Sequence, residues 1–369
     1  MIRIEEGAES PLITHIVGAR PNFPKAAPVI RALKSTQATQ RLVHTGQHYD
    51  DALSEAFFRD LDLPRSDTNL GVRSGTHALQ TAALLTAIET EVTSTRPTLL
   101  MVYGDVNSTL AAALVASKLG IHLAHVEAGL RSYDRSMPEE INRVVTDQLS
   151  DLLFTTSPEA ADNLAREGIH EAKVHFVGNP MIDTLLTNWD KFKPEVLLQR
   201  HALEGDYAVA TLHRPANVDD PETAATVVTA LERASQLIRI VLPLHPRGLA
   251  SLKQQGLGDL ANVDIVDPLG YLDFISLVRG SRAVITDSGG VQEETTMLGI
   301  PCLTMRPNTE RPVTISQGTN RLVNPSNLPN VLGDVLSRQV TLPDQLPPLW
   351  DGKAGTRISA VIRDWIQWL

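Results

Sequence analysis

Short apolar runs alternate with longer amphipathic stretches along the first half of the chain. The runs Leu12–Val17, Arg41–Thr45, Leu99–Tyr103, His122–Val126, Leu152–Thr155 and Val174–Val177 predict strands. Apolar residues at helical spacing predict helices over Ala26–Lys34, His77–Thr93, Ser108–Leu119, Glu139–Leu149 and Ala160–Arg166. Alternation of this kind implies a parallel sheet with helices on both faces. The pattern then restarts. Strands are expected at Tyr207–Thr211, Ile238–Leu242, Val263–Val266, Ala283–Thr286 and Pro301–Thr304, and helices at Thr223–Gln236, Tyr271–Arg279, Val291–Leu298, Leu328–Ser337 and Arg357–Trp368. The two halves are alike in architecture and unlike in sequence, and no short repeat is visible. The polar segment Trp189–His201, interrupted by Pro194, reads as a crossover. The expected organisation is therefore α/β, with two doubly wound parallel-sheet domains over residues 1–185 and 186–355. Pro343–Gly355 is rich in Pro and Gly, so the last helix, from about 356 to 369, is expected to pack back on the first domain.

Composition narrows this picture a little. A length of 369 residues suits two domains. Aromatics make up only 4%, so aliphatic side chains must fill the core. With 33 Lys and Arg against 43 Asp and Glu, the formal charge is -10, a poor match for bulk nucleic-acid binding. A single cysteine, Cys302, excludes an intrachain disulfide and fits a reducing compartment; it reads as a small buried strand residue. The acidic start Met1–Glu6 lacks the apolar core of a targeting segment, and the longest apolar stretch, Leu110–Leu119, is too short to span a bilayer. A cytoplasmic protein without membrane or nucleic-acid partners is expected.

In open α/β sheets, ligands bind beyond the carboxyl ends of the strands. Here those ends carry Gly18-Ala19-Arg20, Gly46-Gln47-His48, Gly104-Asp105, Glu127-Ala128-Gly129, His213-Arg214, His245-Pro246-Arg247 and Asp287-Ser288-Gly289-Gly290. A lone His or Asp after a strand is usually a turn former or a cap. A whole series of Arg, Asp, Glu and His points to a ligand. The sharpest signal is Thr286-Asp287-Ser288-Gly289-Gly290, a strand end followed by two glycines and a helix start. Such a turn brings free N–H groups close to an anion, as phosphate binding requires; the alternative is that Ser288 simply caps the helix. It is neither a Walker loop nor a dinucleotide fingerprint. Arg20, Lys25 and Arg311 are candidate phosphate cations, with Lys25 alternatively a solvated first-turn residue.

Asp105, Glu127 and Glu139 are candidates for proton transfer, because a carboxylate beside a phosphate site is otherwise repelled. Glu139 equally suits the first turn of a helix that starts at Pro138, as does Glu140. No metal is expected. His125 and Glu127 share a strand face while His122 points away, and neither paired cysteines nor an HExxH pattern is present.

Taken in order, the motifs Gly18-Ala19-Arg20-Pro21, Thr45-Gly46-Gln47-His48, Gly104-Asp105, His125-Val126-Glu127-Ala128-Gly129-Leu130-Arg131, Pro138-Glu139-Glu140, Leu212-His213-Arg214, Thr286–Glu294 and Thr309-Glu310-Arg311-Pro312 are those of a known family. The chain resembles the non-hydrolysing UDP-N-acetylglucosamine 2-epimerases from about Ile13 to Val323. The resemblance implies a GT-B-like fold, two Rossmann-like domains with the active site in the cleft between them. It implies interconversion of UDP-GlcNAc and UDP-ManNAc by anti elimination of UDP to 2-acetamidoglucal and re-addition after reprotonation at sugar carbon 2. Neither a nicotinamide nor a metal is implied, and a homodimer is. Asp105, Glu127 and Glu139 match the acid–base group, without an order among them. Arg20, Lys25 and His213 match positions near the phosphates and the reacting centre. Ser288, Gly289, Gly290, Glu294 and Arg311 match UDP-binding positions, Glu294 on the ribose. Phe274 matches the uracil side and is alternatively an ordinary core residue. Gln47 and His245 match a second nucleotide-sugar site found in some members. Asp50 stands where such members often have Gln, a poorer neighbour for a diphosphate. Pro24, between Arg20 and Lys25, departs from the family pattern and is expected to alter the approach of Lys25, since proline fixes φ. Rival readings are a hydrolysing relative releasing UDP and ManNAc, an epimerase of a related 2-acetamido sugar, a GT-B glycosyltransferase, and a binding protein without chemistry.

Overall fold

The apolar runs form strands because a parallel sheet covered on both faces needs unbroken apolar sequence; Leu99–Tyr103, for instance, is buried at every position. The computed structural model describes residues 10–46, 57–218, 220–244, 246–337 and 345–368. The chain divides into two units, residues 1–187 with 348–369, and residues 188–347.

The first unit holds β1 (Leu12–Val17), β2 (Thr39–His44), β3 (Thr68–Asn69), β4 (Leu99–Tyr103), β5 (His122–Ala128), β6 (Leu152–Thr155) and β7 (Val174–Phe176). They pair in parallel in the order β3-β2-β1-β4-β5-β6-β7. Winding reverses between β1 and β4, where Ile13 lies beside Leu99. The second unit holds β8 (Tyr207–Thr211), β9 (Arg239–Pro243), β10 (Val263–Val266), β11 (Ala283–Thr286), β12 (Cys302–Met305) and β13 (Asn320–Val323), in the order β10-β9-β8-β11-β12-β13. Here the reversal falls between β8 and β11. A crevice opens beyond the strands at each such reversal.

Several expectations need correction. Strands β3 and β13 escape the pattern: β3 spans two residues, and β13, Asn-Arg-Leu-Val, is an edge strand with an exposed arginine. The expected crossover Trp189–His201 lies just past the boundary between the units, and it adds a helix the sequence reading lacked, Pro194–Arg200, with Pro194 in its first turn, where a missing N–H costs nothing. Residues 348–355, assigned by sequence to the second domain, belong to the first unit. Trp350 is buried there and its indole N–H donates to the Thr156 carbonyl at 3.1 Å. The helix Ala354–Ile366 lies along the helix Asn22–Leu33, with Ser359 Oγ donating to the Ala32 carbonyl. Asp183 accepts the N–H groups of Ala354 and Gly355 and so caps that last helix.

Candidate active site

In the first unit the reversal between β1 and β4 gathers the candidates. Asn22, absent from the sequence reading, ties the two strand ends together. Its Oδ1 accepts from Gly18 and Ala19 N–H, each at 2.9 Å, and its Nδ2 donates to the Tyr103 carbonyl at 2.7 Å. Asn22 opens a helix that runs to Leu33, four residues earlier than its periodicity predicts. Pro24 therefore sits in the first turn, where it displaces no hydrogen bond. Lys25 follows it and is buried, not solvated, with Nζ 2.7 Å from Glu127 Oε1. Gly104 makes room for this pair. Its φ is +65°, and a Cβ there would stand 2.8 Å from Lys25 Nζ.

Glu127 is 2% exposed and sits in the left-handed region at φ +76°, within a register shift of β5 between Val126 and Ala128. That bulge breaks the strand alternation assumed from sequence, so His125 and Glu127 meet different partners. Asp105, with 22% of its side chain exposed, is bonded to the buried Arg143, which also holds Glu140 at 2.6 Å. Glu140 accepts further from Ser132 and Tyr133 N–H, and these donors with Arg143 outweigh its burial and hold its carboxyl below the usual range. Glu140 is thus committed to the loop, while Glu139 beside it is half-buried in the first turn of the helix Pro138–Leu149. Arg20 lies just past β1 and is half-buried.

In the second unit the reversal lies between β8 and β11, and Asp287 organises it. This fully buried carboxylate accepts from the N–H groups of His213 and Arg214 and from Asn217 Nδ2, and lies 2.8 Å from His213 Nδ1. Burial alone would raise its pKa; His213, the Arg214 N–H and Asn217 outweigh that and bring it down to about 2. A carboxylate depressed in the fold contributes stability above its unfolded value near 4 and loses it as pH falls through 2. The contribution is about 2 kcal/mol. Thermal unfolding of wild type and Asp287→Asn between pH 6 and 2 checks this: the wild type should lose more stability on acidification, and equal losses contradict the assignment.

Ser288 precedes the helix Gly289–Leu298, and its side chain makes no capping hydrogen bond. The first-turn N–H groups of Gly289 and Gly290 thus stay available to an anion. Gly289 is required by close packing, since a Cβ there would lie 2.5 Å from Arg311 Nη1. Sequence casts Arg311 as an open phosphate cation. In the structure it is 4% exposed, bonded to Glu310 and 3.1 Å from Glu293 through Nε, while Arg306 holds Glu310 at 2.6 Å. Two arginines and two carboxylates balance behind the helix start. Glu294 is also buried, and burial together with its carboxylate pushes the pKa of the Tyr271 phenol well up. Phe274, on the helix Tyr271–Arg279, packs against the core cluster that includes Leu197, Tyr207 and Leu277. Gln47, His245 and Asp50 lie outside the described residues. Asn22, Arg143 and Asp287 are the contributors that motif reasoning undervalued. Asp287 stands inside a quoted motif and Asn22 directly after one, but their role is to hold backbone, which leaves no pattern in sequence.

The model of the UDP-N-acetylglucosamine 2-epimerase family matches residues 31–363. The chain belongs to that family. It is 40% identical to UDP-N-acetylglucosamine 2-epimerase of Methanocaldococcus jannaschii over 94% of this chain and 97% of that protein. It is 42% identical to UDP-2,3-diacetamido-2,3-dideoxy-D-glucuronate 2-epimerase of Pseudomonas aeruginosa, over 94% and 98%. The crystal structure of the M. jannaschii UDP-GlcNAc 2-epimerase in complex with UDP-GlcNAc and UDP matches with a TM-score of 0.88, covering 95% of this chain and 99% of that one. The resemblance carried by the motifs is therefore borne out, as is the GT-B-like α/β fold class. Epimerases are isomerases, and this chain is an enzyme of that kind. Among the described residues no helix is long and apolar enough to cross a membrane.

Proposed function

We propose that this epimerase interconverts UDP-GlcNAc and UDP-ManNAc without hydrolysis. The observation that carries the reading is the buried Lys25–Glu127 pair at the β1–β4 reversal, in a chain of this family. Removing the proton from sugar carbon 2 and breaking the bond from carbon 1 to the UDP oxygen gives 2-acetamidoglucal, with UDP taking the bonding electrons. Protonation of carbon 2 on its other face and return of UDP to carbon 1 complete the exchange. Asp105, Glu127 and Glu139 form the proton-transfer group. Lys25, Arg20 and His213 meet the charge that develops on the departing diphosphate. Gly289 and Gly290 N–H groups and the Ser288 hydroxyl bind phosphate, Glu294 binds ribose, and the open face of Phe274 meets uracil. Arg311 supports the glycine turn from behind. The setting is cytoplasmic and the assembly a homodimer, which light scattering on the purified chain checks.

A proton NMR time course in heavy water tests the reaction. UDP-ManNAc should appear with deuterium at carbon 2 of both sugars. UDP and free ManNAc accumulating together would establish the hydrolysing course instead, and no exchange at carbon 2 would exclude epimerisation of this substrate. The 42% identical P. aeruginosa relative, named for a diacetamido uronate, supports a second substrate. Running UDP-2,3-diacetamido-2,3-dideoxy-D-glucuronate in parallel decides between them by kcat/KM.

A further inference from the structure

One buried carboxylate touches both sides of the bulge that presents Glu127. Asp147, on the helix Pro138–Leu149, is 1% exposed. Its Oδ1 is 2.6 Å from His125 Nδ1. Its Oδ2 accepts from the Gly129 N–H at 3.1 Å and lies 2.7 Å from Arg131 Nη1. His125 and Gly129 stand two residues before and two after Glu127. Between them β5 shifts register and Glu127 takes φ +76°. A non-glycine residue in that region is strained and persists only where its surroundings hold it. Asp147 grips the chain on either side of that strain.

The second nitrogen of His125 reaches the other carboxylate-bearing segment. Nε2 is 2.9 Å from the carbonyl oxygen of Gly104, the residue before Asp105. A carbonyl oxygen only accepts, so Nε2 carries a proton. Burial pushes the Asp147 carboxyl up, but His125 and Arg131 outweigh that and keep it ionised. The ring's other nitrogen, Nδ1, is the one that meets Asp147. Arg131 in turn forks onto Glu167 at 2.7 and 2.6 Å. Burying such a network is expensive, and apolar packing of equal volume often serves stability as well. What apolar packing cannot supply is a simultaneous hold on residues 104, 125 and 129.

We propose that Asp147 and His125 are positioning residues, the aspartate acting directly and through the histidine to set the Gly104–Asp105 turn and the Glu127 bulge in one geometry. The inference rests on the acid–base role given above to Asp105 and Glu127.

The test uses the full chain. In Asp147→Asn, kcat for carbon-2 deuterium exchange should fall about a hundredfold, the scale of a reacting group displaced by an ångström. KM and UDP affinity should stay within about twofold, because only a transition-state contact is weakened. A folded variant with wild-type kcat, or one in which KM alone changes, overturns the proposal. A second measurement does not depend on any variant folding. In the ¹⁵N-labelled wild type, the His125 ring, assigned through its own backbone, should carry a proton on Nε2, the nitrogen that faces the Gly104 carbonyl; a ring with Nε2 bare overturns the proposal. If the wild type itself exchanges no carbon-2 hydrogen, the reaction reading fails, while the ring spectrum still judges the network.

Discussion

Glu127→Gln lowers turnover by more than about a hundredfold, the usual scale of a lost acid–base group. The substitution keeps the shape of a side chain that is 2% exposed and an oxygen to accept from Lys25 Nζ at its 2.7 Å distance. It removes the capacity to take and return a proton. Because that capacity is needed only as the carbon-2 bond breaks or forms, the loss falls on kcat and on deuterium exchange, with KM little changed. Lys25 also loses its counter-charge, so unfolding should move to lower temperature, and rates belong at temperatures where the variant is folded. Asp105→Asn should show a comparable loss. Its carboxylate is bonded to Arg143 and partly open, which suits a group that meets substrate from the protein side. Near wild-type exchange in both variants would remove these residues from the mechanism.

The second large effect is on stability. Arg311→Met should destabilise the second unit by about 3–5 kcal/mol, the scale for removing one partner of a buried ion pair. Glu293 and Glu310 are 1% and 2% exposed, and both contact the Arg311 guanidinium. Arg306 still holds Glu310, so the loss falls on the Arg311 contacts. The measurement is denaturant unfolding, compared with Arg20→Met, which changes a half-buried loop side chain and should cost far less. Equal costs would mean that Arg311 is an ordinary ligand-facing cation. The same ion-pair set fits the diphosphate site proposed for this chain of charge -10: in the second unit, backbone N–H groups would offer the positive end, and the arginine behind them is neutralised.

Much of the fold is legible because a parallel sheet covered on both faces demands apolar runs, and eleven of the thirteen described strands announce themselves that way or nearly so. Two of the edge strands do not. Thr68–Asn69 and Asn320–Val323 are strands only because β2 and β12 offer hydrogen bonds beside them. Lys25 shows the same limit in the site. Its position after Pro24 reads as a first-turn surface residue, and it is buried because Glu127, 102 positions away, stands opposite. Glu139 and Glu140 are indistinguishable as a dipeptide. The loop Ser132–Tyr133, folding over Glu140, separates their roles.

By itself the sequence determines the family, the α/β alternation, and which residue types follow each strand, since these depend on local order along the chain. Tertiary structure alone decides that β1 neighbours β4 and β8 neighbours β11, which brings Asn22 to Gly104 and His213 to Asp287. It also decides that Arg311 answers buried carboxylates and that Asp147 braces the Glu127 bulge. Hydrogen bonding and charge pairing depend on distance in space, and separation along the chain does not encode it.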